Sequence, residues 1–220
     1  MKKVTTLFIS TMILGSLCSA GEVFAFETEG INNTDAKSFG TVQLLAGEEK
    51  EDTEIEIPED EDGKGGETGN TDRLAITYVS PLDFGSFNLN GKETIISAKN
   101  KAPNIQVRDI RGTAGGWTVQ VSRTEFVSED NKTLAGAKLY IPAGTVTSRT
   151  ETTSGAPVAS AVLVDTKAAT ILDAEVGAGA GAWKNTFGEG EVKLTIPQDA
   201  LLGDYTAELN WAMTNTPRPE

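Results

Sequence analysis

From Leu74 onward the chain reads as short runs of β-branched and aromatic residues, broken by turn residues every 8 to 15 positions. No stretch keeps a helical apolar period for 12 residues. A chain patterned in this way cannot bury the continuous apolar stripe that a helical bundle needs. Its expected fold class is all-β, an antiparallel β-sandwich or barrel-like domain. Strands are expected over Leu74 to Ser80, Glu93 to Ala98, Ile105 to Ile110, Trp117 to Ser122 and Ala137 to Ile141. Others are expected over Ala161 to Asp165, Val192 to Ile196 and Tyr205 to Met213. Asn90-Gly91 is a hairpin-turn dipeptide expected to join the second pair of strands. Ala168 to Val176 fits one short helix or a strand.

The residues before Leu74 have a different character. Residues 1–25 run from Met1-Lys2-Lys3 through an apolar stretch, Leu7 to Leu17, to Val23-Phe24-Ala25. A basic start, a short apolar run and a small-x-small site make a secretory signal peptide, and the run is too short to span a membrane. The lone Cys18 lies inside it, preceded by Leu17 rather than by the small residue a lipidation site wants. Residues 26–71 form an N-terminal segment. Ten of the fifteen residues from Glu48 to Asp62 are Asp or Glu, and Gly63-Lys64-Gly65-Gly66 follows. Like charges at such density repel, so this stretch is expected to be a disordered acidic linker. Asp60-Glu61-Asp62-Gly63 raises a calcium loop as the sharper reading, but Gly69 stands where an EF-hand needs its bidentate glutamate. The expected β domain then covers residues 72–220.

Charge and composition exclude several functions. The chain carries 19 basic and 32 acidic residues, a net charge of −13, and no histidine. Removal of residues 1–25 leaves 17 basic and 31 acidic residues, a charge of −14, with no cysteine. Clustered cations for nucleic acid or for an anionic membrane are missing. So are imidazole ligands for zinc and the base of a Ser-His-Asp or Cys-His site. Neither a metal site nor a cofactor is expected. Paired carboxylates are the remaining catalytic option, with Asp83, Asp109, Glu125, Asp165, Asp173 and Asp204 as candidates by residue type alone. The run Gly177 to Trp183 alternates glycine and alanine, yet lacks the βαβ context of a dinucleotide site, so it reads as a mobile or closely packed loop.

The tryptophans carry more information. In Trp117-Thr118-Val119-Gln120-Val121-Ser122 a period of two puts Trp117, Val119 and Val121 on one strand face and Thr118, Gln120 and Ser122 on the other. Leu209-Asn210-Trp211-Ala212-Met213 likewise places Leu209, Trp211 and Met213 together, with Asn210 opposite. Trp117 and Trp211 fit either a buried core signature or aromatic faces for sugar. The core reading leaves ligand contact to Thr118, Gln120 and Asn210, or to loops. Trp183, flanked by glycine-rich sequence, is a loop aromatic suited to sugar or partner contact.

These segments resemble the WxL family, whose members carry a Trp-x-Leu motif twice in a C-terminal wall-binding domain. Leu82-Asp83-Phe84-Gly85-Ser86 is similar to the family's opening block, and Val107 to Trp117 to the stretch leading into its first motif. Leu134 to Leu139, Val192 to Pro197 and Gly203 to Trp211 are similar to later blocks, and the end closes on Thr216-Pro217. The likeness spans about residues 72 to 217 in the right order. It departs at Val119 and Met213, which stand where each motif expects leucine; both keep an apolar group beside the indole.

The resemblance implies non-covalent attachment to peptidoglycan on the outer surface of low-GC Gram-positive bacteria. It also implies surface complexes with a WxL-interacting protein. No covalent sorting motif or apolar tail stands near Glu220. At −14 the chain is repelled by phosphate-rich wall polymers at long range, so binding would rest on short-range contacts. The expected function is a secreted, cell-wall-associated binding module without enzymatic activity. The two rivals are a protein–protein module whose partner makes the wall contact, and a carbohydrate-active enzyme.

Overall fold

The structure, a computed structural model, describes residues 40–50, 52, 54–61, 63 and 65–215. The signal peptide expected over residues 1–25 and the closing Thr216-Pro217 lie outside the described residues. The chain divides into two units, residues 1–44 and 45–220. Of the first, residues 40–44 are described, and they are exposed and irregular.

The second unit is built from strands. They begin with β1 (Leu74–Val79), β2 (Thr94–Ser97), β3 (Asn104–Asp109), β4 (Trp117–Arg123) and β5 (Val127–Ser128). Next come β6 (Lys138–Ile141), β7 (Thr145–Ser148), β8 (Val158–Ala159), β9 (Val162–Val164) and β10 (Ala169–Ala174). β11 (Gly181–Thr186), β12 (Lys193–Ile196), β13 (Tyr205–Thr206) and β14 (Leu209–Thr214) complete the series. Three four-stranded antiparallel sheets result, in the orders β1-β3-β11-β7, β14-β4-β10-β8 and β2-β12-β6-β9, with a small β13-β5 ribbon. One apolar core joins them, fed by Ile105 and Val107 of β3, Trp117, Val119 and Val121 of β4, and Leu139, Leu172, Trp183 and Leu194 from the other strands. The all-β, sandwich-like class is therefore the one the alternating pattern indicates.

The strands expected from alternation are present with small shifts, except that Tyr205 to Met213 divides into β13 and β14. Ala168 to Val176 is the strand β10, with a bulge between Thr170 and Leu172. Asn90-Gly91 does turn the chain: Gly91 has φ 70°, and the Asn90 side chain accepts the Lys92 N–H at 3.0 Å. It does not form a hairpin, because β2 pairs with the distant β12.

The acidic segment corrects a second expectation. Rather than a disordered linker, the described residues among 47–61 lie along the outer face of the β1-β3-β11-β7 sheet. The Gly47 N–H donates to Ile110 O at 3.0 Å, and Gln106 on β3 exchanges two hydrogen bonds with the Glu56 backbone, at 3.0 and 2.7 Å. Asp52 pairs with Arg149, and Glu56 with Lys184 on β11. Glu61, within a 3-10 turn over Glu59–Glu61, is fully buried and accepts from Tyr78 Oη (2.8 Å) and Asn100 Nδ2 (2.7 Å). Burial first, then the Glu61 carboxyl, push the Tyr78 hydroxyl far above its ordinary value. With the core on one side and this strap on the other, every residue of β3 is buried. Like charges repel only until cations from elsewhere in the chain are brought against them. Asp60 and Glu61, the carboxylates that suggested a calcium loop, are already used, Asp60 accepting the Lys101 N–H at 3.0 Å.

Candidate functional site

Trp117 is fully buried, and its surroundings are built to fit it. Its indole N–H donates to Gly179 O at 3.0 Å, which satisfies the one polar atom that burial would otherwise strand. Gly179 has φ 74°, and a Cβ there would stand 2.6 Å from the indole nitrogen and 2.4 Å from Ala174 Cβ. The glycine-alanine run is thus closely packed around the first motif's ring. It also leads directly into β11, which carries Trp183 on its inward face. Trp183 is only 4% exposed, with its N–H donated to Ala180 O at 3.1 Å. The expectation of a loop aromatic at Trp183 is corrected: small residues hid a strand.

The two motif strands are neighbours. β14 pairs with β4 without a register break, placing Trp211 beside Val121, Met213 beside Val119 and Thr214 beside Thr118. Val119 is fully buried, whereas Trp211 and Met213 are half-buried against the same core. The Thr124 N–H bonds to Glu208 O, while the Arg123 N–H turns the other way to Asp165 O. By the alternation of an antiparallel ladder, the backbone groups of Asn210, Ala212 and Thr214 then face β4. Those of Leu209, Trp211 and Met213 face outward, off the end of the sheet.

The opposite face of this sheet is polar. Cross-strand rows set Asn210 beside Ser122, Ala212 beside Gln120 and Thr170, and Thr214 beside Thr118 and Asp173. Thr118 Oγ1 donates to Asp173 Oδ1 at 2.6 Å and is 4% exposed; Gln120 is half-buried and Asn210 exposed. Asp173 is the one charged side chain in these rows. A flat array of amides and hydroxyls with little net charge suits neutral, hydroxyl-rich ligands.

A second feature was not assigned from sequence. A cleft of about 420 Å³ opens between β14 and the β2-β12-β6-β9 sheet, lined by Phe84, Phe87, Ile96, Leu194, Tyr205 and Leu209 among others. Its lining includes two of the sequence blocks noted above, Leu82 to Ser86 and Gly203 to Tyr205. Their common place was the available signal. The remaining candidate carboxylates mostly serve local structure. Asp109 pairs with Arg111 at 2.8 Å, and this bond raises the guanidinium pKa against the opposing effect of burial. Glu125 lies 3.6 Å from Arg123, and Asp165 accepts the Thr166 N–H.

A sheet-built binding domain, with its indoles turned inward and a polar face outward, is the class these observations define. The model of the WxL family, described as a WxL domain, surface cell wall-binding, matches residues 32–217. The chain belongs to that family, and its domain attaches non-covalently to the cell wall. The match starts well upstream of residue 72, in keeping with a strap that is folded onto the first sheet. Comparison with curated proteins and with solved structures returned no match.

Proposed function

We propose that the chain is a secreted, non-enzymatic module that holds peptidoglycan through the outer face of the β14-β4 pair, with Gln120 and Asn210 as the contact residues and Thr118 as their support. One observation carries this reading: the indoles of both motifs turn toward the core, while the other face of the same two strands offers amides and hydroxyls with almost no charge. A glycan is uncharged along its hydroxyls, so short hydrogen bonds to such a face escape the repulsion that a charge of −14 imposes on anionic polymers. Trp117, Val119, Trp211 and Met213 serve as the packing signature that keeps this face flat. A WxL-interacting surface protein is the partner expected beside it.

The test is co-sedimentation of residues 26–220 with insoluble peptidoglycan stripped of teichoic acid. Retention should exceed that of an unrelated acidic protein and fall on replacing Gln120 and Asn210 by alanine. Retention no better than the control would overturn direct wall binding and leave attachment to the partner.

A further inference from the structure

We infer that the outer edge of β14 at Leu209, Trp211 and Met213, together with the adjoining cleft, is a docking site for an extended, basic-apolar segment of a partner protein, added as a fifth strand to the β14-β4-β10-β8 sheet. The inference deepens the partner half of the proposed function and is independent of the polar face.

Edge strands are normally blunted by charge, proline, bulges or shortness, because their unpaired N–H and C=O groups recruit other strands. β14 has none of these defences. Leu-Asn-Trp-Ala-Met-Thr is six residues long and uncharged, and it pairs with β4 without a bulge. Among the described residues none pairs with its outer side. By contrast β8, at the far end of that sheet, has two residues, and β1 is covered by Gly66 and Thr68, which bond to Val79 and Thr77.

The strand's side chains agree with its backbone. Leu209, Trp211 and Met213, the residues whose amides point off the edge, are also the half-buried ones that another strand would cover. The cleft, which β14 borders through Leu209, descends to Leu139 and Leu194 of the core, and its rim carries Leu201 and Leu202, which are 62% and 79% exposed. Main-chain pairing with pockets for alternate side chains is the geometry of strand addition.

Charge selects the occupant. Among the described residues the charged ones lining the cleft are Asp83 and Asp204, with Lys99 against Gly85 at one side, and Glu208 stands exposed just before β14. A second copy of the chain would bring another −14 to the same place, so a segment with alternating apolar residues and Lys or Arg at its ends fits better.

The experiment uses the chain from residue 26 and a synthetic peptide, Lys-Val-Thr-Leu-Thr-Leu-Lys, with hydrogen exchange read by NMR. Saturating peptide should slow exchange at the Leu209, Trp211 and Met213 amides by at least about tenfold, leaving β9 unchanged. A control peptide with Ser at its apolar positions should have no effect. Leu201→Ser with Leu202→Ser, at exposed positions, should weaken peptide binding several-fold, and so should Asp204→Lys. Three results would overturn the inference: no protection at those amides, equal binding of a peptide with Glu in place of Lys, or full protection in the free chain. Sedimentation then tells a self-paired dimer from a monomer whose edge is already covered. Wall retention of the same variants should be unchanged, so the failure of this site and of the polar face are distinguishable.

Discussion

At the scale of single residues, Trp117 joins motif to fold. Its ring is fully buried in the core and its one polar atom is satisfied by Gly179 O. Trp117→Ala should therefore destabilise by ~3 to 5 kcal/mol, with a fall in Tm of roughly 10 °C or more. A Tm within a degree or two of the parent would return the indole to the surface. Gly179→Ala should approach this effect without touching the motif, at about 2 kcal/mol or more, because φ 74° and the 2.6 Å approach to the indole both exclude a Cβ. A period of two makes the apolar face of Trp117, Val119 and Val121 legible in the sequence. The environment of Trp183 is not, since Gly181 and Ala182 carry too little side chain to show alternation.

Elements differ in how much of them a local pattern encodes. Strands such as β4 and β12 declare themselves by alternating residues. β7 is short, polar and mostly exposed, so it leaves no apolar trace. Pairing is less legible still: among the described residues no two consecutive strands are neighbours in a sheet. A fold made wholly of distant pairings has a high contact order, and refolding should take from about milliseconds to seconds. Stopped-flow recovery of Trp117 burial within microseconds would contradict this topology. The strap escaped a sequence reading for a related reason. Arg149, the partner of Asp52, is 97 positions away, and Lys184, the partner of Glu56, is 128 away. Desolvation pulls the Asp52 carboxyl up, but hydrogen bonds from Arg149 and the Glu54 N–H, with the Arg149 charge, outweigh it and hold the pKa below the ordinary 3.8. Such a group stabilises the folded state fully above 3.8, and the contribution is lost as pH falls through the lower folded value. Below that pH the Gly47 and Glu56 amides should gain exchange relative to β4. Strap amides that lose protection only together with those of β4 would mean the strap is not held by this pair.

For the whole molecule, charge and scaffold set the terms of attachment. An excess of 13 negative charges over the whole sequence opposes a wall dressed with phosphate polymers at distances up to a Debye length, ~10 Å at 0.1 M salt. Retention on intact wall should therefore rise with salt, whereas retention on bare peptidoglycan should stay nearly constant. Binding that falls steeply with salt on both would mean charge attraction, which this composition does not provide. In the proposed reading, what brings the chain to the wall is instead the weakly charged outer face of the β14-β4 pair, with the indoles packed behind it.

That division of labour is tested most directly by one paired measurement on Gln120→Ala with Asn210→Ala: retention on stripped peptidoglycan and Tm, side by side with the parent chain. The account predicts that retention falls by at least about tenfold, equivalent to ~1.4 kcal/mol, while Tm stays within a few degrees. Retention unchanged in this variant, but lost in a Trp211→Ala chain that keeps its fold, would place the wall contact on the indoles and contradict it.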